Sequence, residues 1–210
     1  MFVSTLIVHI AYAMVTANLP YHVTLVVGRS EADVGIFLGV VVIIMGVFAP
    51  VWNWLATKFA HRKLMMISLI ALGMALALNY TVGLIPGIDP MVHGLIVVAL
   101  VGPTLGGYLV LAYAMMGSIV DYDEMFTHRR REAIYYGTFS LAVGIGPAIA
   151  AFVLTQTLER FGYTAANPLG VRLAWLIMGV VTLIGAAVFT GYRLGDTPEE
   201  TRRLMGLEAE

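Results

Sequence analysis

Few side chains of this sequence could take part in chemistry, and those within its long apolar segments carry no formal charge. They are histidines, amides, hydroxyls and phenols: His9, Asn18, Tyr21, His22, Asn53, Asn79, His93, Ser118, Tyr135, Tyr136, Thr138, Ser140 and Gln156. They include no pair of carboxylates, no metal-ligand cluster and no nucleophile beside a base, which are the arrangements that catalysis uses. The chain also has no cysteine, which excludes thiolate metal sites. We therefore predict that the chain is not an enzyme and that it binds no metal and no cofactor.

The charged residues concentrate in one stretch, from Ser118 to Gly137, that lies between two apolar segments. Acids and bases occur together in it, close to what we predict to be a short loop: Asp121, Asp123, Glu124, Arg129, Arg130, Arg131 and Glu132. The stretch is too short to be a domain, so its role depends on the segments that flank it.

The composition assigns the chain to membrane proteins. Hydrophobic residues make up 60% and charged residues 12% of the sequence, and the mean hydropathy is +0.87. Soluble domains carry roughly 25% charged residues. The net charge of −1 offers no basic surface for phosphates, which excludes nucleic acid as a partner. The expected surroundings are the lipid bilayer.

Six charge-free segments are long enough to cross that bilayer. They cover residues 2–27, 34–57, 64–88, 90–120, 133–158 and 173–192. A membrane-spanning helix needs about 20 residues, whereas strands of a lipid-facing barrel would be shorter and alternating. We predict an all-α bundle of six transmembrane helices over residues 1–192, followed by a tail over 193–210.

The loop charges predict the orientation, because Lys and Arg collect on the cytoplasmic side. With both termini inside, nine basic residues lie inside: Lys58, Arg62, Lys63, Arg129, Arg130, Arg131, Arg193, Arg202 and Arg203. Three lie outside: Arg29, Arg160 and Arg172. We expect a multi-pass protein of the cell inner (plasma) membrane with cytoplasmic termini.

Several motifs in these segments resemble one family of carriers. The stretch V-D-Y-D-E (120–124), with R-E-A-I-Y-Y-G (131–137) after it, resembles a cytoplasmic loop of the glycoside-pentoside-hexuronide:cation symporters, the melibiose-carrier-like branch of the major facilitator superfamily. A-N-L-P-Y-H (17–22) resembles the family's seventh helix, and residues 192–204 resemble its C-terminal extension. L-A-T-K-F-A-H-R-K (55–63) resembles a loop of the wider superfamily, with Thr57 where an acid usually stands.

The resemblance covers helices seven to twelve of the family, so it implies the C-terminal six-helix half of a major facilitator fold. It implies a cation-coupled symporter of sugars or glycosides that works by alternating access around a midplane site. A missing N-terminal half would then bind the coupling cation, Na⁺ or H⁺, because these spans contain no acid; proton handling by His22 is the competing interpretation.

Two departures from the family pattern lie near the expected binding region. Ser118 stands where an acid is common, and Val143 and Gly144 stand where many members carry Gln and Lys. A more apolar substrate or a degenerate carrier would account for both. The alternatives to half a carrier are therefore a non-transporting scaffold or assembly factor and a homodimeric six-helix carrier.

Polar residues on two helices are the candidates for contact with a small-molecule substrate. The outer part of the first helix offers Asn18, Tyr21 and His22, and the inner part of the fifth offers Tyr135, Thr138 and Ser140. At 100° per residue Tyr135 shares a face with Thr138, whereas Tyr136 pairs with Ser140. The competing interpretation makes these tyrosines interfacial anchors.

The charged stretch is the candidate for a cytoplasmic gate. Asp121, Asp123, Glu124 and Glu132 would pair with Arg129, Arg130 and Arg131 and bridge two bundles when the inner side is closed. The competing interpretation is a solvated loop, whose surface ion pairs contribute about 0 to 1 kcal/mol each.

Overall fold

The computed structural model describes residues 2–192, 194, 195, 200 and 203, and only the backbone of residues 2 and 126. Six long helices make up most of this part of the chain. They are α1 (Phe2–Tyr21), α2 (Val34–Ala56), α3 (His61–Leu78), α4 (Pro90–Thr127), α5 (Glu132–Phe161) and α6 (Leu169–Phe189). A π-helical segment, His22–Val27, continues α1. No strand occurs among the described residues, and the prediction of an all-α membrane protein with six spanning helices is confirmed. Most of the predicted tail, with Arg193 and Arg202, lies outside the described residues.

An α-helix satisfies most of its backbone groups internally, which a lipid environment requires. Their spans have mean hydropathies between 1.4 and 2.7. α4 begins where predicted, because Asp89 accepts hydrogen bonds from the backbone of Met91 and Val92 while Pro90 takes the first helical position.

Several helix limits differ from the sequence prediction. α3 ends at Leu78, ten residues before the predicted limit of 88, and glycines with positive φ at 83 and 87 follow it. α6 covers Leu169–Phe189 and not 173–192. α4 continues to Thr127, so the stretch from Ser118 to Gly137 is mostly helical and its turn comprises only residues 128–131.

The helices are arranged as an open arc in the spatial order α5, α1, α6, α3, α4, α2. α1 packs against α5 and α6, α3 packs against α6 and α4, and α2 packs mainly against α4. α4 and α5 are consecutive in the chain but have little contact. The arc therefore leaves a gap between α1 and α4.

Glycine allows a close approach of two helices where α3 crosses α6. A Cβ atom at Gly179 would lie 2.7 Å from the Gly73 carbonyl oxygen. Arginines fasten the same two helices at both ends. Arg62 donates to the Thr190 carbonyl at 2.8 Å, and Arg172 donates to the Val82 carbonyl at 2.6 Å. The α3–α6 pair is thus held along its whole length.

The two helices at the ends of the arc are the least covered. Within an apolar 18-residue stretch of each span, only 6% of residues are buried in α2 and 28% in α5, against 39–56% in the other four helices. The core lies where α1, α3, α4 and α6 meet and contains Trp175, Met178 and Met14. The exposed faces of α2 and α5 require lipid or another protein.

Candidate functional site

A cavity of about 260 Å³ occupies the gap between α1, α2 and α4, and we call it the central cavity. Its residues lie near the middle of the α1, α2 and α4 spans. Most of its wall is aliphatic, and α3 closes its back; the lining includes Val8, His9, Tyr12, Leu38, Val42, Met45, Leu72, Leu76, Val101, Leu105 and Tyr108. Val42 and Tyr12 are half-exposed, so the cavity opens on one side of the arc.

A histidine and a tyrosine supply much of the polarity of this wall. His9 Nδ1 lies 2.9 Å from the Thr5 carbonyl oxygen and 3.4 Å from the Tyr108 hydroxyl. A carbonyl oxygen can only accept, so Nδ1 donates its proton to Thr5, and in the neutral tautomer with this donor Nε2 carries the lone pair. The His9 ring also meets Phe139 edge to face, at 5.9 Å between ring centroids. These contacts hold the imidazole at the wall.

The predicted outer patch on the first helix is divided by the structure. Asn18 and His22 are fully buried against α6, where Asn18 donates to the Val171 carbonyl at 3.0 Å and His22 packs edge to face on Trp175. Tyr21 is exposed and meets Tyr163. None of the three predicted residues lines the central cavity.

The predicted inner patch on the fifth helix lines a second cavity in part. This cavity, of about 460 Å³, lies between the facing ends of α4 and α5, and Tyr135, Thr138, Met116 and Arg131 contribute to its wall. Tyr135 and Thr138 do share a face, whereas Ser140 is exposed outside this lining. The six residues predicted to contact the substrate are thus not brought together.

The charged stretch forms two ion-paired groups beside the second cavity. Arg131 makes two hydrogen bonds to Asp123, one of them 2.8 Å from Nε to Oδ2, and Tyr135 bonds the same carboxylate. Arg130 lies 2.6 Å from Glu132 and 3.9 Å from Glu124.

The acids raise the pKa of both paired arginines above the ordinary value. Hydrogen bonding to Glu132 is the main cause at Arg130, and hydrogen bonding to Asp123 is the main cause at Arg131. Asp121 and Arg129 are exposed and form no ion pair within the described part of the chain. Both paired guanidinium groups therefore stay charged.

The chain from Thr127 to Glu132 is folded back tightly. His128 adopts the left-handed conformation, with φ of 50°, and its backbone N–H donates to the Glu124 carbonyl at 2.8 Å. This cap ends α4 and allows Arg131 to reach back to Asp123. Among the described residues, no three His, Asp or Glu side chains gather as metal ligands would.

Six apolar helices arranged as an arc around a cavity at mid-span define a multi-pass membrane protein of the carrier class. The family match agrees: the MFS/sugar transport protein family covers residues 1–194, and the chain belongs to this family. The family resemblance of the motifs is thereby confirmed.

Two relatives match part of the chain. An uncharacterized symporter of Synechocystis is 34% identical over 83 residues, which are 40% of this chain and 15% of that protein. An uncharacterized 29.9 kDa protein in the crtE 3′ region of Pseudescherichia vulneris is 28% identical over 94 residues, 41% of this chain and 35% of that protein. Both matches cover well under two thirds of the relative's length.

Proposed function

We propose that this chain is the C-terminal half of a cation-coupled secondary transporter that works by alternating access and carries a small molecule rather than transforming one. The central cavity carries this proposal. It lies near mid-span, which is where carriers of this kind bind substrate between two bundles. It is open along one side, so a second bundle would complete its wall.

The surface of α5 supports a second bundle on that side, because two different stripes are exposed along it. One stripe has small side chains: Ala133, Gly137, Ser140, Gly144 and Ala148. The other lies roughly 80° around the helix and has bulky ones: Ile134, Leu141, Ile145 and Phe152. Helices in lipid associate through small residues, whereas bulky aliphatic residues suit contact with acyl chains.

Glycines with open space around them lie on the small-residue stripe of α5 and on one face of α2. A Cβ atom at Gly137 or Gly144 of α5, or at Gly39 or Gly46 of α2, would meet no atom within 4 Å. At these positions another helix could approach the backbone closely. We assign the small-residue stripe of α5 and the glycine face of α2 to contact with the missing half or, as the second candidate, with another copy of this chain. A scaffold without transport would keep the fold but not need the cavity.

The ion-paired stretch suits a gate at the end of the bundle that holds the turn over residues 128–131. Asp123 and Arg131 join the ends of α4 and α5, which otherwise have little contact, and they border the second cavity. We propose that this end is cytoplasmic, as the Lys and Arg distribution indicates, and that both chain termini lie there in the inner membrane.

We assign the coupling cation to the partner half. Na⁺ prefers oxygen ligands such as carboxylates, and the lining of the central cavity contains no carboxylate. Within the bilayer the titratable candidates are histidines, and His22 is packed against Trp175 away from the central cavity.

Photo-crosslinking from single cysteines tests this proposal, because the chain has no native cysteine. A thiol-linked benzophenone at Gly144→Cys should give a protein adduct in host membranes, whereas the matched Leu141→Cys should give lipid adducts. A partner of a different sequence supports the split carrier, and an adduct of twice the 22.7 kDa chain supports the homodimer. The docking assignment fails if both positions give the same adducts. Uptake by the purified complex in vesicles then tests transport, and its absence would favour the scaffold.

A further inference from the structure

We propose that the central cavity, which is the part of the substrate site that this half supplies, accepts a mainly apolar body with a single hydrogen-bond donor, and not a free sugar. This inference rests on the proposed function, since it specifies the substrate class of the same site. It is carried by the wall of the cavity, by the free nitrogen of His9 and by the cavity size.

The wall offers too few polar groups for a sugar. Valine, leucine, methionine and alanine supply most of the lining, and the polar side chains are those of His9, Tyr12, Thr16 and Tyr108. The Thr16 hydroxyl donates its proton to the Ala13 carbonyl at 2.9 Å, so toward a substrate it can only accept. A sugar would lose water at every hydroxyl and regain few hydrogen bonds, and each unpaired buried hydroxyl costs free energy.

His9 provides a specific place for one donor. Its Nδ1–H is held by the Thr5 carbonyl at 2.9 Å, so Nε2 is an acceptor. No group among the residues that the structure describes bonds this Nε2 atom, although the ring lines the cavity. The imidazole is also held by edge contacts with Tyr108 and Phe139, which keep the acceptor in one position.

The cavity size suits a compact ring system. Its volume of about 260 Å³ exceeds the roughly 150 Å³ of an apolar cavity that holds benzene. A fused bicyclic alcohol therefore has room in this cavity. 2-Naphthol has such a body and one hydroxyl, and 2-methoxynaphthalene has almost the same shape without the donor.

The test is a fluorescence titration of the purified chain in phosphatidylcholine nanodiscs, with protein-free nanodiscs to subtract partitioning. We expect saturable binding of 2-naphthol that Val42→Trp abolishes, because Val42 lines the opening of the cavity. The matched control is Val47→Trp. Val47 is equally exposed on α2, at 64% against 58%, but lies outside the lining, so this variant should bind normally.

The hydrogen bond from the ligand hydroxyl to His9 is tested by His9→Phe, which keeps an aromatic ring but loses the acceptor nitrogen. Loss of one hydrogen bond should weaken 2-naphthol binding about three- to tenfold and leave 2-methoxynaphthalene binding unchanged. Equal weakening of both probes would overturn the role of His9.

Two further results would overturn the substrate class. Methyl glucoside that binds saturably, displaces 2-naphthol and is blocked by Val42→Trp would show that the site is right and the class wrong, which leaves the proposed function intact. Equal, unsaturable uptake of 2-naphthol by the wild type and Val42→Trp would show that the cavity only admits lipid. The crosslinking and uptake experiments judge the proposed function separately.

Discussion

The crossing of α3 and α6 can be perturbed by a single methyl group. In Gly179→Ala, the new Cβ would lie 2.7 Å from the Gly73 carbonyl oxygen and 2.9 Å from the Ala77 backbone nitrogen. Ordinary contact begins at 3.4 Å, so the first distance is too short by about 0.7 Å. Backbone atoms cannot swing away as a side chain can. The helices must therefore separate at this point.

Separation is opposed by the two arginines that fasten the same pair. Because Arg62 and Arg172 hold α3 and α6 at opposite ends, the helices can only bow apart between them. Overpacking of this kind costs typically about 1 to 3 kcal/mol. The ratio of unfolded to folded chain should then rise roughly 5- to 150-fold.

Unfolding by SDS in mixed micelles, followed by circular dichroism, measures this change. The matched control is Gly144→Ala, where the new Cβ would meet nothing within 4 Å. This variant should be as stable as the wild type, or more stable by up to about 1 kcal/mol, because alanine favours a helix over glycine. A Gly179→Ala variant as stable as Gly144→Ala would refute the reasoning from close approach.

Three other predictions concern polar side chains of the chain. Asp123→Asn should weaken the contact with Arg131 at the start of α5 and increase thiol labelling of cysteines introduced in the second cavity. Asp121→Asn should leave this labelling unchanged. Equal labelling in both variants would exclude the gate. Trp52→Phe removes the 2.7 Å hydrogen bond from the indole N–H to the Pro103 carbonyl and should lower the free energy of unfolding by about 0.5 to 1.5 kcal/mol in the same SDS titration; an unchanged midpoint would contradict this. Vesicles that contain the chain alone should accumulate no substrate in response to a Na⁺ or proton gradient, and accumulation lost in His22→Ala would move coupling into this half.

The spans could be predicted from the sequence because crossing a bilayer imposes length and apolarity on every helix. Helix ends were harder. Asp121 and Asp123 are charged and were placed in a loop, yet the helix continues beyond the apolar run and ends only at the His128 cap. Hydropathy indicates where contact with lipid ends. A helix ends at a different point, where its last backbone carbonyls find other hydrogen-bond partners.

The central cavity could not be predicted, because its aliphatic wall has the same residue types as a lipid-facing surface. Val42 lines the cavity and Val47 does not, yet only the arrangement of α1, α2 and α4 distinguishes them. His9 was not singled out from the sequence as a contact for substrate, because its partner Tyr108 lies 99 positions away in the sequence. Asn18 and His22 were chosen because they are polar, but both side chains are buried against α6. In a membrane helix a polar residue meets a neighbouring helix as readily as a substrate.

The two stripes of α5 also bear on how such a protein is made. Glycine and alanine in the small-residue stripe are apolar, so before any partner arrives lipid tails can cover this face, with Ser140 as the polar member of the stripe. Exposed carboxylates on that face would instead need a polar or charged partner during insertion. The six helices can therefore enter the bilayer and fold first, and a second bundle can join them later by diffusion in the plane of the membrane.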